Sequence, residues 1–451
     1  MTRRQRSVDV LVVGGGPAGL ATARSLAEAR VGTVEVLERE AAAGGVPRHC
    51  HHGGFGRRAA MTGPRYATHL VEAALGSGAV VRPGVTATGW AGPLTLDTTG
   101  PHGLERITAR AVVLATGARE RPRSARLVPG TRAAGVLTTG ELQQAVHLYG
   151  QQVGTRAVVV GAEPVSYAAL DTLRHAGVDV AALTTREPRH QMGRARAAAA
   201  RLGHRVPLLT GVTVTELLGR GRLSGVRLEH RDGRLTTVDC DTVVFTGDFV
   251  PDHELARRGG VPLDPGTRGP AVDGAFRTGT EGVFAVGNAV HAAEPALWVA
   301  REGAVAADAV RRFLGGAATS DTTASTDTTA RTGWPFAGRP VETDAPLRWV
   351  APNRIVPGVA VGRFVLRTTE VLARPVLVVT QDGRRLHRQF VPRSVLPNRS
   401  LYLAGSWTGR VDPEGGPVRI GVGRLRSLGG DLVDGGVLGV QPSPVRGQHF
   451  Q

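Results

Sequence analysis

The stretch VDVLVVGGGPAGLATARSLAEAR, residues 8–30, decides the fold of this chain. It begins with an apolar run, typical of a strand buried in a parallel sheet, and continues as an alanine-rich helix. Between the two, Gly14 makes the tight turn, Gly16 lets the backbone approach a pyrophosphate, and Gly19 lets the helix pack close to the strand. The amino end of the helix then offers N–H groups and partial positive charge to the phosphates. The stretch therefore predicts a dinucleotide-binding turn.

The residues after the turn extend this pattern. A second strand, residues 33–37, leads to Glu38, which lies nineteen residues after Gly19. A carboxylate at this spacing can accept hydrogen bonds from both hydroxyls of a ribose. The turn and the acidic residue together predict a bound dinucleotide, but they do not distinguish NAD from FAD.

Three later segments resemble those of FAD-binding proteins. Arg39 and the pair Gly44-Gly45 are similar to the segment where the flavoprotein chain folds back along FAD. The run VVLATG, residues 112–117, resembles the strand that closes over the cofactor. The run GVFAVGN, residues 282–288, resembles the late flavin motif, whose polar residue bonds the ribityl chain. These families usually carry Asp at that position, so Asn288 offers a hydrogen bond without the negative charge.

The resemblance implies FAD as the cofactor and a set of residues that hold it. The expected cofactor-binding residues are Gly14, Gly16, Pro17, Ala18, Gly19, Glu38, Arg39, Gly45, Val46, Arg48, Ala87, Ala115, Thr116, Gly117, Gly287 and Asn288.

The order of elements predicts the fold class. Strands and helices alternate to about residue 310, which favours a parallel sheet with crossover helices. A second strand–glycine–helix unit begins at residues 157–160, and a further apolar run, 242–245, ends at Thr246-Gly247. We therefore expect an α/β fold with two Rossmann-like dinucleotide-binding domains, the second inserted in the first, plus a small C-terminal β-rich domain. The expected boundaries are 1–122 and 241–316 for the two parts of the FAD-binding domain, 123–240 for the insert, 317–333 for a Thr/Ser-rich flexible linker, and 334–451 for the C-terminal domain.

This arrangement resembles the pyridine nucleotide–disulfide reductases, over about residues 8 to 312. Within them, GGVPRHCHHGGFG, residues 44–56, is similar to a stretch in flavoprotein subunits of opine oxidase, hydrogen cyanide synthase and dye-linked proline dehydrogenase. The segments ATGARERPR, LVPGTRAAGVLTTGELQ and GDFVPDHELARRGG support the same family. The resemblance implies oxidation of a small amine or amino-acid-like substrate. It also implies transfer of the electrons to partner subunits, namely an iron–sulfur chain and a second flavoprotein.

The second dinucleotide unit departs from the binding pattern. Glu163 replaces the glycine that should touch a pyrophosphate, and Pro164 removes an N–H donor. The following strand ends at Thr184-Thr185-Arg186, without an acidic residue for a ribose. These changes favour a degenerate NAD(P)-binding-like domain with a structural role. An NAD(P)H-dependent flavin reductase that uses this domain remains an alternative, as does a non-catalytic flavin-binding scaffold subunit.

The catalytic candidates lie just after Gly44-Gly45. His49, Cys50 and His52 should be close to the reaction centre, where a neutral His can accept a proton from an amine. Arg48 can hold a carboxylate with its guanidinium fork. A second hypothesis is that these residues only bond backbone carbonyls and FAD phosphates. His51 departs from the family pattern, where that position resembles Gly.

Composition excludes several classes. The formal net charge is +17, but all 55 basic residues are Arg, scattered without long runs and with few aromatic residues, so a nucleic-acid partner is not expected. The two cysteines provide no disulfide framework, no CxxC pair and no ligand set for an iron–sulfur cluster, and no metal site is expected. No signal peptide or transmembrane segment is recognisable, so we expect a cytoplasmic protein.

Overall fold

The computed structural model describes residues 3–56, 59–192, 203, 205–318 and 338–423. The first part of the chain contains strands and helices that lead into and out of the predicted glycine turn. They are β1 (Arg4–Val13), α1 (Pro17–Glu28), β2 (Val34–Glu38), β3 (Gly53–Phe55), β4 (Met61–Thr62), α2 (Gly63–Gly76), β5 (Val80–Pro83), β6 (Thr86–Gly92), β7 (Thr95–Gly100), β8 (Gly103–Leu114) and β9 (Ala118–Glu120), with a 3-10 turn at Val46–His49.

The middle part of the chain forms the insert. Its elements are β10 (Val136–Thr138), α3 (Thr139–His147), β11 (Arg156–Val160), α4 (Pro164–His175), β12 (Asp179–Thr185), β13 (Leu208–Thr210), β14 (Val212–Arg220), β15 (Arg222–His230), β16 (Leu235–Asp239) and β17 (Thr242–Phe245). The chain then returns to the first domain through β18 (Phe249–Pro251), α5 (Glu254–Arg258), β19 (Val283–Ala285), α6 (Asn288–His291) and α7 (Ala296–Ala318).

The first domain is built on a seven-stranded sheet of order β5-β2-β1-β8-β7-β6, with β19 beside the carboxyl end of β8. Its central strand β1 pairs in parallel with β2 and β8. Residues 10–12 of β1 are completely buried because helices cover one face and other elements cover the other, which explains the apolar run in the sequence. Helix α1 packs against α7, where the Thr22 hydroxyl donates to the Gly303 carbonyl over 3.1 Å. The α/β fold class is confirmed.

The insert contains a five-stranded parallel sheet of order β10-β17-β11-β12-β13 and an antiparallel sheet of β14, β15 and β16. Strand β17 pairs with both β10 and β11, so it belongs to the insert. The predicted boundary between residues 240 and 241 is therefore wrong by one strand. Buried central strands of both parallel sheets have the same continuous apolar pattern. The apolar run 242–245 therefore does not indicate whether the strand belongs to the FAD-binding domain or to the insert. The antiparallel pair β9 and β18 joins the two domains.

The residues after 338 form a β-rich domain of two sheets. Its strands are β20 (Arg339–Thr343), β21 (Leu347–Ala351), β22 (Arg354–Ile355), β23 (Arg363–Thr368), β24 (Val376–Gln381), β25 (Arg384–Phe390), β26 (Leu401–Ala404) and β27 (Val418–Gly423). The sheets have the orders β22-β20-β27-β24-β25 and β21-β23-β26. They share a core in which the rings of Phe364 and Trp407 stack with centroids 5.1 Å apart.

Two sequence predictions concern the ends of this domain. Helix α7 continues to Ala318, so residues 317 and 318 of the predicted linker are helical. The remainder of that linker, 319–333, lies outside the described residues, as do 334–337 and 424–451 of the predicted C-terminal domain. Among the described helices, none has the length and apolar character needed to cross a membrane.

Candidate functional site

A cavity of about 1140 Å³ lies where the carboxyl ends of β1, β2, β8 and β19 meet. This edge of an open parallel sheet is where ligands bind in such folds. The volume slightly exceeds the range of about 300–1000 Å³ that is usual for small-molecule sites, which suits a ligand as long as a dinucleotide. All three domains contribute to its wall.

The glycine turn forms the floor of the cavity. Gly14 has a φ of 113°, and a Cβ atom there would collide with the carbonyl oxygen of Ala115. A Cβ atom on Gly19 would collide with the carbonyl oxygen of Gly14, so α1 approaches the turn as closely as the sequence predicts. Above Gly16 the nearest atom to a built Cβ is the Gly45 Cα at 3.9 Å, which leaves the backbone open to a ligand.

Glu38 lies at the end of β2 and is 6% exposed. One carboxylate oxygen accepts the N–H of Gly15 over 3.0 Å, and the other accepts the N–H of Glu40 over 2.9 Å. Burial raises the pKa of Glu38 above its usual value. Each oxygen keeps a second lone pair, so the side chain is fixed in place and can still accept ribose hydroxyls.

The segment after β2 folds back over the turn. The Gly44 N–H donates to the Gly15 carbonyl over 2.7 Å, and Gly45, with a φ of 62°, packs beside Gly16, since a Cβ on Gly45 would lie 2.8 Å from the Gly16 Cα. The 3-10 turn Val46–His49 follows at once, and all four of its residues line the cavity. Two tight glycine conformations therefore bring the predicted reaction-centre loop to the glycine turn.

The structure brings nearly all of the predicted cofactor residues together. Gly19 and Gly287 are not part of the cavity wall; they pack behind it, and a Cβ on Gly287 would lie 2.7 Å from the Ala18 Cβ. The other predicted residues line the cavity, namely Gly14, Gly16, Pro17, Ala18, Glu38, Arg39, Gly45, Val46, Arg48, Ala87, Ala115, Thr116, Gly117 and Asn288.

Asn288 has a further role that its motif did not reveal. Its Oδ1 accepts the N–H of Glu294 over 2.8 Å, and its Nδ2 donates to the Glu294 carbonyl over 3.2 Å. The side chain thus holds the loop between α6 and α7. One amide hydrogen and one lone pair are left for a ligand.

Of the three catalytic candidates, only His49 lines the cavity. It is buried, and burial, followed by the positive charge of Arg48, lowers its pKa to about 4. His49 is therefore neutral at physiological pH.

Cys50 and His52 lie outside the cavity wall. The Cys50 thiol donates to Gln143 Oε1 of the insert over 3.4 Å, and burial raises its pKa to about 12, so it is an unreactive thiol. His52 contacts its neighbour through Nδ1 and the Gly53 carbonyl oxygen, 2.7 Å apart. His51 stacks on His147 of the insert, with centroids 4.0 Å apart. This end of the loop packs against the insert.

The second glycine turn is occupied by its own acidic residue. Glu163 is buried, accepts the N–H of Ala162 over 2.9 Å, and accepts the hydroxyl of Thr246 over 2.6 Å. A Cβ atom on Gly247 would collide with the same carboxylate. A negative charge fixed in this turn opposes a phosphate at the same place.

The C-terminal domain closes the cavity through residues that sequence reasoning missed. Trp349, Arg367, Ser400 and Tyr402 line the wall beside Glu294. The hydroxyl of Ser400 and that of Tyr402 both donate to the Glu294 carboxylate, the latter over 3.1 Å. No local motif marks these residues, and Glu294, the partner of Arg367, Ser400 and Tyr402, lies 73 to 108 positions earlier in the chain.

His291, in α6, also lines this wall and is completely enclosed. Its Nε2 lies 3.0 Å from a Glu302 oxygen, and its Nδ1 lies 3.1 Å from the Ala292 carbonyl oxygen. Both ring nitrogens therefore face acceptors, which favours the doubly protonated ring. Although burial opposes the charge, Glu302 raises the pKa of His291 above its usual value.

The chain belongs to the pyridine nucleotide-disulphide oxidoreductase family, which matches residues 8–307. Several solved structures share its fold. The thioredoxin reductase of T. acidophilum is 22% identical, with a TM-score of 0.56 over 68% of this chain and 98% of that one. The bacillithiol disulfide reductase of Bacillus cereus is 19% identical, with a TM-score of 0.56 over 69% and 100%. The L-proline dehydrogenase of P. horikoshii is 18% identical, with a TM-score of 0.52 over 70% of this chain and 57% of that one. No curated protein matches the chain.

The protein is thus a flavoenzyme of this family, and FAD is its cofactor. The residues present fit that cofactor. The open backbone above Gly16 suits a pyrophosphate, since any larger residue would fill the space. The oriented carboxylate of Glu38 suits the ribose, and the cavity extends from there to Asn288 and the C-terminal domain.

Proposed function

We propose that the protein oxidises a small amine or amino-acid-like substrate with its FAD and passes the electrons to a partner subunit or another acceptor. The resemblance of residues 44–56 to the flavoprotein subunits of opine oxidase, hydrogen cyanide synthase and dye-linked proline dehydrogenase supports this function. The observation that carries it is an FAD cavity with a neutral His49 in its wall. In addition, the carboxylate of Glu163 fills the glycine turn of the insert.

Disulfide reduction is not proposed, although a disulfide appears in the name of the family and in that of the similar Bacillus cereus reductase. That chemistry needs a reactive cysteine thiolate that attacks the substrate disulfide. The chain has only Cys50 and Cys240, both buried and both with a raised pKa. Thiolates are scarce at such pKa values, so neither residue is suited to attack a substrate.

Bound FAD supplies a hydride acceptor for the oxidation of a carbon–nitrogen bond. The chain's own contribution begins with His49, which is neutral and therefore accepts a hydrogen bond or a proton from a substrate amine. The loop 292–296 and the C-terminal domain complete the wall of the same cavity.

A screen of substrates tests the proposal. Amino acids, opines, simple amines and hydroxy acids are added separately to the oxidised protein without oxygen, and the yellow absorbance of FAD is followed. We expect an amine or amino-acid-like compound to bleach the flavin in a saturable manner. Bleaching by hydroxy acids alone would contradict the substrate class. A flavin that no compound reduces, even with partner subunits present, would indicate the scaffold role instead.

The electron acceptor is proposed to be a partner assembly with an iron–sulfur chain and a second flavoprotein. This chain has too few cysteines to hold such a cluster itself. Purification of the tagged protein from its natural source, followed by iron and flavin analysis, tests the assembly. We expect iron and additional flavin to co-purify; a single chain that carries only its own FAD would contradict it.

An NAD(P)H-dependent flavin reductase is the second candidate, because membership of a pyridine nucleotide family favours it. The insert does contain the parallel sheet and glycine turn of a dinucleotide domain. The buried charge of Glu163 argues against nucleotide binding there. Rapid anaerobic bleaching by NADH or NADPH would establish this candidate.

A further inference from the structure

A buried ion pair joins the C-terminal domain to the FAD-binding domain at the cavity wall. Arg367, in β23, is 7% exposed and lines the cavity. Its Nη2 donates to the Glu294 carboxylate over 3.0 Å and to the Ala293 carbonyl over 3.1 Å. Glu294 is itself held by Asn288 through the backbone. The guanidinium is therefore fixed beside the segment that follows the late flavin motif.

The other terminal nitrogen of Arg367 lacks an acceptor. Its Nη1 is buried, and no residue of the described chain accepts a hydrogen bond from it. A buried donor of a charged group without a partner is costly, and such groups in native proteins generally have a ligand, ion or water to satisfy them. At a cavity wall, that partner can be a bound molecule.

Arg348 adds a second positive charge to the same wall. It lies in β21 at a bulge, since Leu347 pairs with Thr368 while Trp349 pairs with Arg367. Neighbouring side chains of a regular strand point to opposite faces, but a bulge redirects one of them. Both Arg348 and Trp349 consequently line the cavity. Arg348 is exposed and forms no ion pair within the described chain.

The facing loop of the FAD-binding domain also carries a cation. Arg268 lines the cavity and forms no ion pair with any described residue. Its loop touches β21, because a Cβ on Gly266 would lie 2.9 Å from the Trp349 Cβ. The junction of the two domains thus presents unpaired guanidinium groups to the cavity.

We propose that the C-terminal domain recognises the carboxylate of the substrate, with Arg367 as its anchor and Arg348 as a second contact. The Nη1 group of Arg367 can donate a charge-assisted hydrogen bond to a carboxylate oxygen, and an arginine already held by Glu294 loses little freedom on binding it. The proposal rests on the proposed function, and it narrows the substrate class to amino acids and other amines that carry a carboxylate.

Ligand binding to the oxidised holoprotein tests this assignment without turnover. Acetate, propionate and benzoate, with propionamide and benzamide as uncharged counterparts, are titrated while the flavin spectrum is recorded. We expect saturable binding of at least one carboxylate, at least tenfold tighter than its amide. Arg367→Gln should weaken carboxylate binding at least tenfold, Arg367→Lys less, and Arg348→Gln several-fold. FAD content should stay at one per chain.

Control variants show which results would contradict a carboxylate site at Arg367 and Arg348. Arg388→Gln removes an exposed arginine of β25, outside the cavity, and should leave carboxylate affinity unchanged. Arg48→Gln tests the arginine suggested by the reaction-centre loop. The inference is overturned if amides bind as tightly as carboxylates, if no carboxylate binds, or if only Arg48→Gln weakens binding. Should Arg367→Gln fail to fold, an unchanged affinity in Arg348→Gln overturns it.

These outcomes separate the two proposals. If the protein oxidises amines with no preference for those that carry a carboxylate, the carboxylate site at Arg367 and Arg348 is contradicted and the proposed function is retained. If carboxylates bind in an Arg367-dependent manner but no amine reduces the flavin, the carboxylate site is supported and the proposed function is contradicted. Loss of FAD from the Arg367 variants, with carboxylate affinity of the reloaded protein unchanged, would assign Arg367 to the cofactor instead.

Discussion

The Thr246 hydroxyl donates to the Glu163 carboxylate over 2.6 Å, inside the turn where a second dinucleotide would place its phosphates. Thr246 follows β17, and Glu163 precedes α4, so this bond closes the turn between two central elements of the insert. The insert therefore stabilises this turn with its own carboxylate.

Removal of the Thr246 hydroxyl should destabilise the insert. In Thr246→Val a buried carboxylate oxygen loses its donor, which typically costs about 1–3 kcal/mol. We expect urea denaturation to show a loss of this size in the free energy of unfolding. Thr237→Val, at an exposed position of β16, is the control. Equal stability of the two variants would show that the bond contributes nothing.

Glu38 should control FAD affinity in a pH-dependent manner. Hydrogen bonds to a charged group contribute about 1.5–3 kcal/mol, so Glu38→Gln should raise the dissociation constant of FAD by about tenfold or more. Because burial raises the pKa of Glu38, the wild-type affinity should weaken as the pH falls toward that raised pKa.

Fluorescence titration of the apoprotein with FAD measures both effects. The affinity of Glu38→Gln, which cannot ionise, should depend less on pH than that of the wild type. Glu229→Gln, on the exposed surface of the insert, should behave as wild type. The role of Glu38 is refuted if its variant binds FAD normally.

His49 should matter for flavin reduction, and its neighbour His52 should not. Loss of a positioned proton acceptor typically slows a reaction by about 100-fold, so His49→Ala should show a drop of that order in the anaerobic reduction rate. His52→Ala, outside the cavity, should keep the wild-type rate. Because the pKa of His49 is about 4, no titration of this residue should appear near neutral pH. Comparable rates in the two variants would argue against a catalytic role.

The contact between the loop 46–52 and the insert, where His51 stacks on His147, should be sensitive to acid. Burial lowers the pKa of both His49 and His147 to about 4 from the ordinary value of 6.5. Between pH 6.5 and about pH 4 the unfolded chain binds more protons than the folded chain. The free energy of unfolding that these histidines contribute above pH 6.5 is therefore lost as the pH falls toward 4. His147→Asn should lose less stability on acidification than wild type.

Thermal or urea unfolding at several pH values measures this effect. His69→Asn, on the exposed face of α2, provides the comparison. If His147→Asn and His69→Asn follow the same pH curve, the histidine stack does not contribute to acid sensitivity.

The local motifs of the sequence were sufficient to predict the part of the site formed by the glycine turn and Glu38. Gly14 and Gly16 act through a tight backbone turn, Glu38 ends the next strand nineteen residues after Gly19, and the structure places the three together. Such features depend on steric limits at single positions, which a sequence shows directly. The fold class followed from the alternation of strands and helices along the chain.

The features that sequence reasoning missed depend on long-range contacts. Strand β17 was assigned to the wrong domain because its apolar run suits either sheet. The bond between Arg367 and Glu294 joins residues 73 positions apart, across two domains. The bulge at Arg348 arises where β21 pairs with β23, and no residue pattern in the sequence predicts this bulge.

The source of the electrons that reduce the flavin is the most direct test of the central claim. The oxidised holoprotein is mixed without oxygen, in parallel, with a carboxylate-bearing amine selected by the screen and with NADH or NADPH, and the flavin absorbance is followed in time. We predict that the amine bleaches the flavin with saturation kinetics and that neither nucleotide does. Fast bleaching by NADH or NADPH, with none by any amine, would contradict the account.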